Sequence, residues 1–85
     1  MNIFEISESM IEIYQKNFST FRKVCNLTCQ EVGDMIGVTK QTISNIERRK
    51  TKLTKSQCIL LRLFVIEMCK DNVKISEIAN VLNLI

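Results

Sequence analysis

The chain has 85 residues, a length that suits one small domain with a modest core. It contains no proline and only two glycines, so few positions interrupt helices and we expect an all-α fold. The formal net charge of +3 does not by itself argue for a nucleic-acid ligand. The absence of histidine removes the residue most often used for proton transfer in enzymes.

The first predicted helix spans about residues 9–25. Apolar side chains recur along it at helical spacing, among them Tyr14, Phe18 and Phe21. This pattern predicts a helix that packs one apolar face into the core.

Residues 28–49 predict two short helices joined by a glycine turn. Thr28 can cap the first of them, and Glu31 three residues later completes a capping box. Gly37 follows the last apolar residue of this helix, where a left-handed residue ends a helix well.

The second short helix begins at a cap on Thr39 and is predicted to point Ile43 and Ile46 inward. Its opposite side is a stripe of hydrogen-bonding side chains: Lys40, Gln41, Ser44, Asn45 and Arg48. Side chains of these types can read base edges and bind phosphates. Nucleic-acid binding is therefore the leading interpretation.

Basic residues are concentrated in and directly after this helix. Six of the twelve cations lie within sixteen residues that contain Glu47 as the only acid: Lys40, Arg48, Arg49, Lys50, Lys52 and Lys55. A solvated charged loop is the alternative interpretation. The position of the run directly after the polar stripe favours a nucleic-acid surface.

A fourth helix is predicted from a cap on Thr54, with Gln57 three residues later, to about Asp71. Its centre is apolar nearly all round, which indicates a central core helix or one partly exposed to a partner. It is too short, and too charged at its margins, to span a bilayer.

A fifth helix is predicted from Ser76, within a C-terminal segment of residues 72–85. The last apolar residues are Val81, Leu82, Leu84 and Ile85. They either close the core or form a dimer seam, and we favour the seam because an exposed apolar patch marks an interface.

Residues 18–70 resemble the phage repressor/Cro-type (XRE) family of helix-turn-helix regulators. The resemblance rests on the small residue Gly33, the turn glycine Gly37 and the inward apolar positions Val32, Ile36, Val38, Ile43 and Ile46. Arg22 and Glu47 match an arginine and a glutamate that typically form a salt bridge between the first and third helices in this family. The resemblance implies a five-helix, lambda-repressor-like fold, here a single domain of residues 1–85 with the motif at helices 2 and 3.

Two positions depart from the family pattern. Cys29 stands where a phosphate-binding glutamine is common, with Gln30 one residue later. The loop after Glu47 usually contains a glycine and a proline, and this chain has neither there.

We predict that the third helix reads the major groove of double-stranded DNA. Lys40 is suited to guanine, Gln41 and Asn45 to adenine, and Thr42 to the methyl group of thymine. The predicted phosphate contacts are Gln30, Thr39, Ser44, Arg48, Arg49 and Lys50. By the resemblance, Lys40, Gln41 and Asn45 occupy positions that usually contact bases.

The four cysteines do not have the spacing of a structural zinc site: Cys25, Cys29, Cys58 and Cys69. We expect no metal and no cofactor. The N-terminus lacks the pattern of a secretory signal, so reduced thiols and a cytoplasmic location are expected. Cys29 is singled out because a helix N-terminus favours a thiolate.

These patterns predict a sequence-specific transcriptional repressor of phage or bacterial type that binds a palindromic operator as a homodimer. The alternative is a protein-interaction module, such as an antitoxin or anti-repressor, that uses the apolar fourth helix and the C-terminal tail. We do not expect an enzyme, since the sequence has no phosphate-cradling glycine loop and no nucleophile with a visible base beside it.

Overall fold

The computed structural model describes residues 2 and 4–85 of the chain. These residues form five helices, α1 (Glu8–Val24), α2 (Cys29–Ile36), α3 (Lys40–Glu47), α4 (Lys55–Cys69) and α5 (Val73–Val81). The predicted all-α, five-helix architecture is confirmed.

Every helix begins at a polar side chain that accepts a hydrogen bond from the backbone of its first turn. These N-cap residues are Ser7, Thr28, Thr39, Thr54 and Asn72. The capping boxes predicted at Thr28 and Thr54 are both present. Each box satisfies two backbone donors that have no partner within the helix.

The predicted start of the fifth helix is wrong. α5 begins at Val73, three residues before Ser76, because the Asn72 side chain accepts a hydrogen bond from Ile75 N at 3.1 Å. The helix also ends at Val81 instead of continuing to the last residue. Asn83 there adopts a left-handed conformation with φ of 60°.

α1 and α4 supply the centre of the core. The Phe64 ring of α4 meets the rings of Phe18 and Phe21 edge-on, with centroids 5.6 and 6.2 Å apart. Edge-to-face packing of this kind is the preferred geometry for aromatic pairs. α4 is both a core helix and a partly exposed one, since Leu61 is buried in the core whereas Leu63 is exposed.

The C-terminal apolar residues divide between core and surface. Leu84 is buried, and its carbonyl accepts a hydrogen bond from the Tyr14 hydroxyl. Val81 is 81% exposed and Ile85 is 51% exposed. Val81 is the last residue of α5, and the left-handed Asn83 that follows takes Leu84 and Ile85 out of the helical period.

Within residues 2 and 4–85, none of the helices combines the length and the apolar character that a membrane span requires.

Candidate nucleic-acid interface

α3 has two faces of different character. Ile43 and Ile46 are buried, whereas Lys40 and Gln41 at the start of the helix are exposed and Asn45 is half-buried. An α-helix with its side chains is about 10–12 Å in diameter. That diameter fits the DNA major groove, which is about 12 Å wide.

A two-pronged ion pair connects α3 to α1. Arg22 Nε donates to Glu47 Oε2 at 2.7 Å, and Arg22 Nη2 donates to Glu47 Oε1 at 2.9 Å. The third guanidinium nitrogen, Nη1, donates to the Leu27 carbonyl at 2.8 Å. The hydrogen-bonded carboxylate raises the pKa of Arg22, so this arginine stays charged. The pair therefore fixes the end of α3 against α1.

The turn between α2 and α3 depends on two glycines for different reasons. Gly37 has φ of 79°, a left-handed conformation that glycine adopts without steric cost. Gly33 lies in the middle of α2, where an added Cβ would be 2.5 Å from the carbonyl oxygen of Val38. The absence of a side chain at Gly33 therefore lets the start of α3 approach α2 closely.

Two of the predicted base-contacting residues pair with each other, and a third pairs with Thr39, which is a predicted phosphate contact. Gln41 Nε2 donates to Asn45 Oδ1 at 2.9 Å. The hydroxyls of Thr39 and Thr42 are 3.0 Å apart, and Thr39 also caps the helix. Lys40 is exposed beside these pairs. All four predicted base contacts thus lie in the first six residues of α3.

The predicted phosphate contacts lie partly in the loop after α3 and partly on α2 and α3. Arg48, Arg49 and Lys50 are exposed at the start of the loop of residues 48–52, here called the basic loop. Arg49 adopts a left-handed conformation with φ of 59°. Gln30 on α2 is exposed and donates one amide hydrogen to Asp34 Oδ1 at 2.9 Å, which leaves its second amide hydrogen for a phosphate. Ser44 is half-buried on α3.

Lys52, the last cation of the basic loop, pairs with Glu8 at the start of α1. The two groups are 3.3 Å apart and both side chains are largely exposed. An exposed pair of this kind contributes little to stability.

The prediction that Cys29 favours a thiolate is wrong. Burial raises the pKa of the Cys29 thiol, and the nearby Glu47 carboxylate raises it further. The thiol lies 3.9 Å from Glu47 Oε1 and is half-buried. The guanidinium groups of Arg22 and Arg48 lower this pKa by less, so Cys29 is a neutral side chain packed beside the ion pair.

Sequence reasoning missed Gln15, a half-buried residue of α1. Its side chain forms hydrogen bonds with the backbone of Ile46, Thr51 and Leu53, on both sides of the basic loop. No local pattern marks it, because its partners are 31 to 38 residues away in the chain.

A model of the helix-turn-helix family matches residues 20–62, which are 43 of the 85 residues. The match begins within α1 and ends within α4, so it includes Arg22, α2, the glycine turn, α3 and the basic loop. No curated protein and no solved structure matched the chain in the corresponding comparisons. With the geometry of α2 and α3, the family match shows that the chain belongs to the phage repressor/Cro-type (XRE) helix-turn-helix family of DNA-binding transcription regulators.

Proposed function

We propose that the protein is a cytoplasmic transcriptional repressor that recognises one DNA sequence by placing α3 in the major groove. Family membership accounts for DNA binding and regulation in general. The readout mode, the operator form and the direction of regulation are the additional steps proposed here.

The observation that carries the proposal is the two-sided character of α3. Ile43 and Ile46 hold one face in the core, and the ion pair between Arg22 and Glu47 holds the end of the helix. The opposite face is thereby presented on a rigid support. Preorganised side chains lose less conformational entropy when they bind, which favours specific recognition.

The amide side chains suit adenine. Gln41 uses one amide hydrogen for Asn45. Its second amide hydrogen and its carbonyl oxygen remain for the two-point contact that reads adenine N7 and N6. Lys40 is assigned to guanine. The hydroxyl of Thr42 is already paired with Thr39, which leaves the Thr42 methyl for thymine.

The phosphate contacts set the position of α3 without reading sequence. Arg48, Arg49 and Lys50 are assigned to the DNA backbone next to the end of α3, and Thr39 and Ser44 to phosphates along the helix. Gln30 is assigned to the DNA backbone near α2 through the amide hydrogen that Asp34 does not accept. These groups account for affinity and for its dependence on salt.

A homodimer on a palindromic operator is the proposed binding form. A single module of this size buries little DNA surface, and two copies raise the affinity. Val73, Val81 and Ile85 are exposed apolar residues of the C-terminal segment, and Val81 and Ile85 are proposed as part of the seam. Half-sites one helical turn apart, about 34 Å, are expected.

The testing experiment is a selection from a randomised duplex pool with the full chain, followed by binding of the winning duplex at several salt concentrations. An enriched inverted repeat with half-sites about one turn apart supports the proposal. Binding that is weak, salt-sensitive and equal for all sequences contradicts sequence-specific readout.

The second candidate is a protein-interaction module, and one specific observation favours it. Met35 of α2 and Leu63 and Ile66 of α4 are large apolar side chains with between 41 and 50% of their surface exposed. Met35 and Leu63 line one groove together with Leu60. If the selection enriches no sequence, and Leu63→Ser abolishes binding to a co-purified protein, this candidate replaces the repressor.

A further inference from the structure

Gln15 connects α1 to both sides of the basic loop. Its Nε2 donates to the carbonyl of Ile46 at 3.1 Å and to that of Thr51 at 2.7 Å. Its Oε1 accepts a hydrogen bond from the backbone nitrogen of Leu53 at 3.3 Å. One side chain thus bonds the last turn of α3, the basic loop and the residue that follows the loop.

The basic loop has little in its own sequence to restrict its conformation. Residues 48–52 contain neither proline nor glycine, and Arg49 holds a left-handed conformation that is unfavourable for a residue with a side chain. Leu53, which is fully buried, is anchored in the core directly after the loop. The start of the loop is held by α3, since the backbone nitrogens of Arg49 and Lys50 donate to the carbonyls of Ile46 and Asn45 at 3.1 and 2.9 Å. The end of the loop returns to α1 through the hydrogen bonds from Gln15 and the exposed pair of Lys52 with Glu8.

Gln15 lies outside the part of the chain that matches the family model, which begins at residue 20. The contact is formed by turns of α1 that precede the match. The hydrogen bonds from Gln15 thus come from a part of α1 that the family match does not cover.

We infer that Gln15 is a positioning residue for DNA binding, which holds the basic loop so that Arg48, Arg49 and Lys50 meet DNA phosphates together. The inference rests on the proposed function, since it requires these cations to contact DNA. A loop that is already ordered loses less conformational entropy on binding than a free one. Without Gln15 the loop samples other conformations, and fewer of its cations engage phosphates at once.

Asn17 offers a matched control on the same helix. Its Nδ2 donates to the carbonyl of Leu82 at 2.9 Å, so it connects α1 to the C-terminal segment instead of the basic loop. Both residues are half-buried amides, and alanine suits a helix at either position. Asn17→Ala therefore removes a contact of α1 without touching the loop.

The experiment compares the full-length wild type, Gln15→Ala and Asn17→Ala. It measures affinity for the selected operator duplex against salt concentration, at a temperature where thermal unfolding shows each variant to be folded. Gln15→Ala is expected to bind more weakly and to lower the slope of log affinity against log salt by about 1, equivalent to one lost phosphate contact. Asn17→Ala is expected to keep the wild-type slope. A wild-type slope in Gln15→Ala, or an equal loss of slope in Asn17→Ala, overturns the inference.

Two further variants keep the result interpretable. If Gln15→Ala does not fold, Gln15→Met replaces it, because methionine keeps the length of the side chain while removing all three hydrogen bonds. The double variant Arg49→Ala/Lys50→Ala tests the proposed phosphate contacts directly. A wild-type slope in this double variant refutes those contacts. If the double variant has a reduced slope and the Gln15 variant has the wild-type slope, only the role of Gln15 is refuted.

Discussion

Arg22 and Glu47 meet through two parallel hydrogen bonds of 2.7 and 2.9 Å, between side chains that are only 12 and 9% exposed. Water screens such a pair weakly, and its two-pronged geometry fixes both distance and orientation. The pair joins α1 to the last residue of α3, so it fixes the orientation of the proposed DNA-reading helix relative to α1.

Arg22→Met is expected to destabilise the fold by about 3–5 kcal/mol, because it leaves the Glu47 carboxylate partly buried without its partner. Glu47→Gln is expected to cost less, since its side-chain oxygen still accepts one hydrogen bond from Arg22. Denaturant unfolding measures both, and the double variant should cost less than the sum. Strict additivity would show that the two residues act independently.

The exposed pair between Lys52 and Glu8 provides the contrast. Both side chains are more than 70% exposed, and their charges are 3.3 Å apart. Lys52→Met is expected to change the unfolding free energy by less than about 1 kcal/mol. A cost comparable to that of Arg22→Met would mean that burial does not decide the contribution of these two pairs.

Alanine at the two glycines of the motif is expected to act through different physical causes. In Gly33→Ala the new Cβ would lie 2.5 Å from the backbone oxygen of Val38, and a backbone atom cannot move aside cheaply. In Gly37→Ala the new Cβ meets nothing within 4 Å, and the cost is the left-handed φ of 79°. Gly37→Ala should therefore cost about 1–2 kcal/mol, and Gly37→Asn less, because asparagine tolerates this conformation.

Gly33→Ala should cost more than Gly37→Ala and should also separate the start of α3 from α2. Thermal unfolding of the three variants measures the costs. Chemical shifts of the α3 amides report the separation, which Gly37→Asn should not cause. An unperturbed α3 in Gly33→Ala would show that the turn can relax without moving the helix.

The motif could be predicted from the sequence because its signals are local. The Thr28 capping box and the left-handed Gly37 each depend on residues within a few positions, and both are present in the structure. The start of α5 was less clear, because Asn72 and Ser76 are both suitable N-cap residues. Periodicity gave no reason to choose the earlier one.

The features that could not be predicted depend on contacts between distant residues or on a break in the period. Gln15 is an unremarkable polar residue of α1 until the fold brings the basic loop beside it. Val81 and Leu84 both belong to the predicted seam, yet Val81 at the end of α5 is exposed and Leu84, beyond the left-handed Asn83, is buried. The candidate base contacts follow from side-chain chemistry and from the family resemblance, whereas the hydrogen bond between Gln41 and Asn45 is visible only in the folded structure.

Arg49 occupies a left-handed position in a loop where the family commonly has a glycine. Its side chain lowers the stability of the fold there but supplies a positive charge for the proposed DNA contact. Arg49→Gly is expected to raise the unfolding free energy by about 1 kcal/mol, because glycine adopts φ of 59° freely. The same variant should lower the salt slope of operator binding by about 1, since it removes one proposed phosphate contact. Asn26→Gly, at φ of 59°, is the control that alters the same conformation away from the basic loop and the proposed seam, and it should leave the slope unchanged.

Gln41 and Asn45 are expected to act as a coupled pair in base readout. Gln41→Ala should cost about 1–3 kcal/mol at one base pair of the operator and leave the fold intact. Asn45→Ala should weaken discrimination at that same base pair, because Gln41 loses the acceptor that orients it at 2.9 Å. A double-mutant cycle should give a coupling of about 0.5–1.5 kcal/mol, whereas the cycle of Lys40→Ala with Gln41→Ala should be close to additive. If Gln41→Ala weakened binding equally for every DNA sequence, Gln41 would not read a base.

Alkaline pH is expected to destabilise the fold through Cys58. Burial raises the pKa of this thiol to about 11, so the folded state favours its protonated form. In the unfolded chain the thiol ionises at about pH 8.5. The contribution to stability is therefore complete below that pH and is lost as the pH rises through about 11, by up to about 3 kcal/mol.

Tyr14 acts in the same direction, since burial raises the pKa of its hydroxyl, and the other three thiols also have raised pKa values. Cys58→Ala should consequently reduce the alkaline loss without abolishing it. Denaturant unfolding at intervals from pH 7 to pH 11 measures the difference between wild type and variant. Because alanine lowers stability at every pH, the slope between pH 8.5 and pH 11 is the relevant quantity. A slope equal to that of the wild type would mean that Cys58 is not the thiol whose ionisation opposes folding.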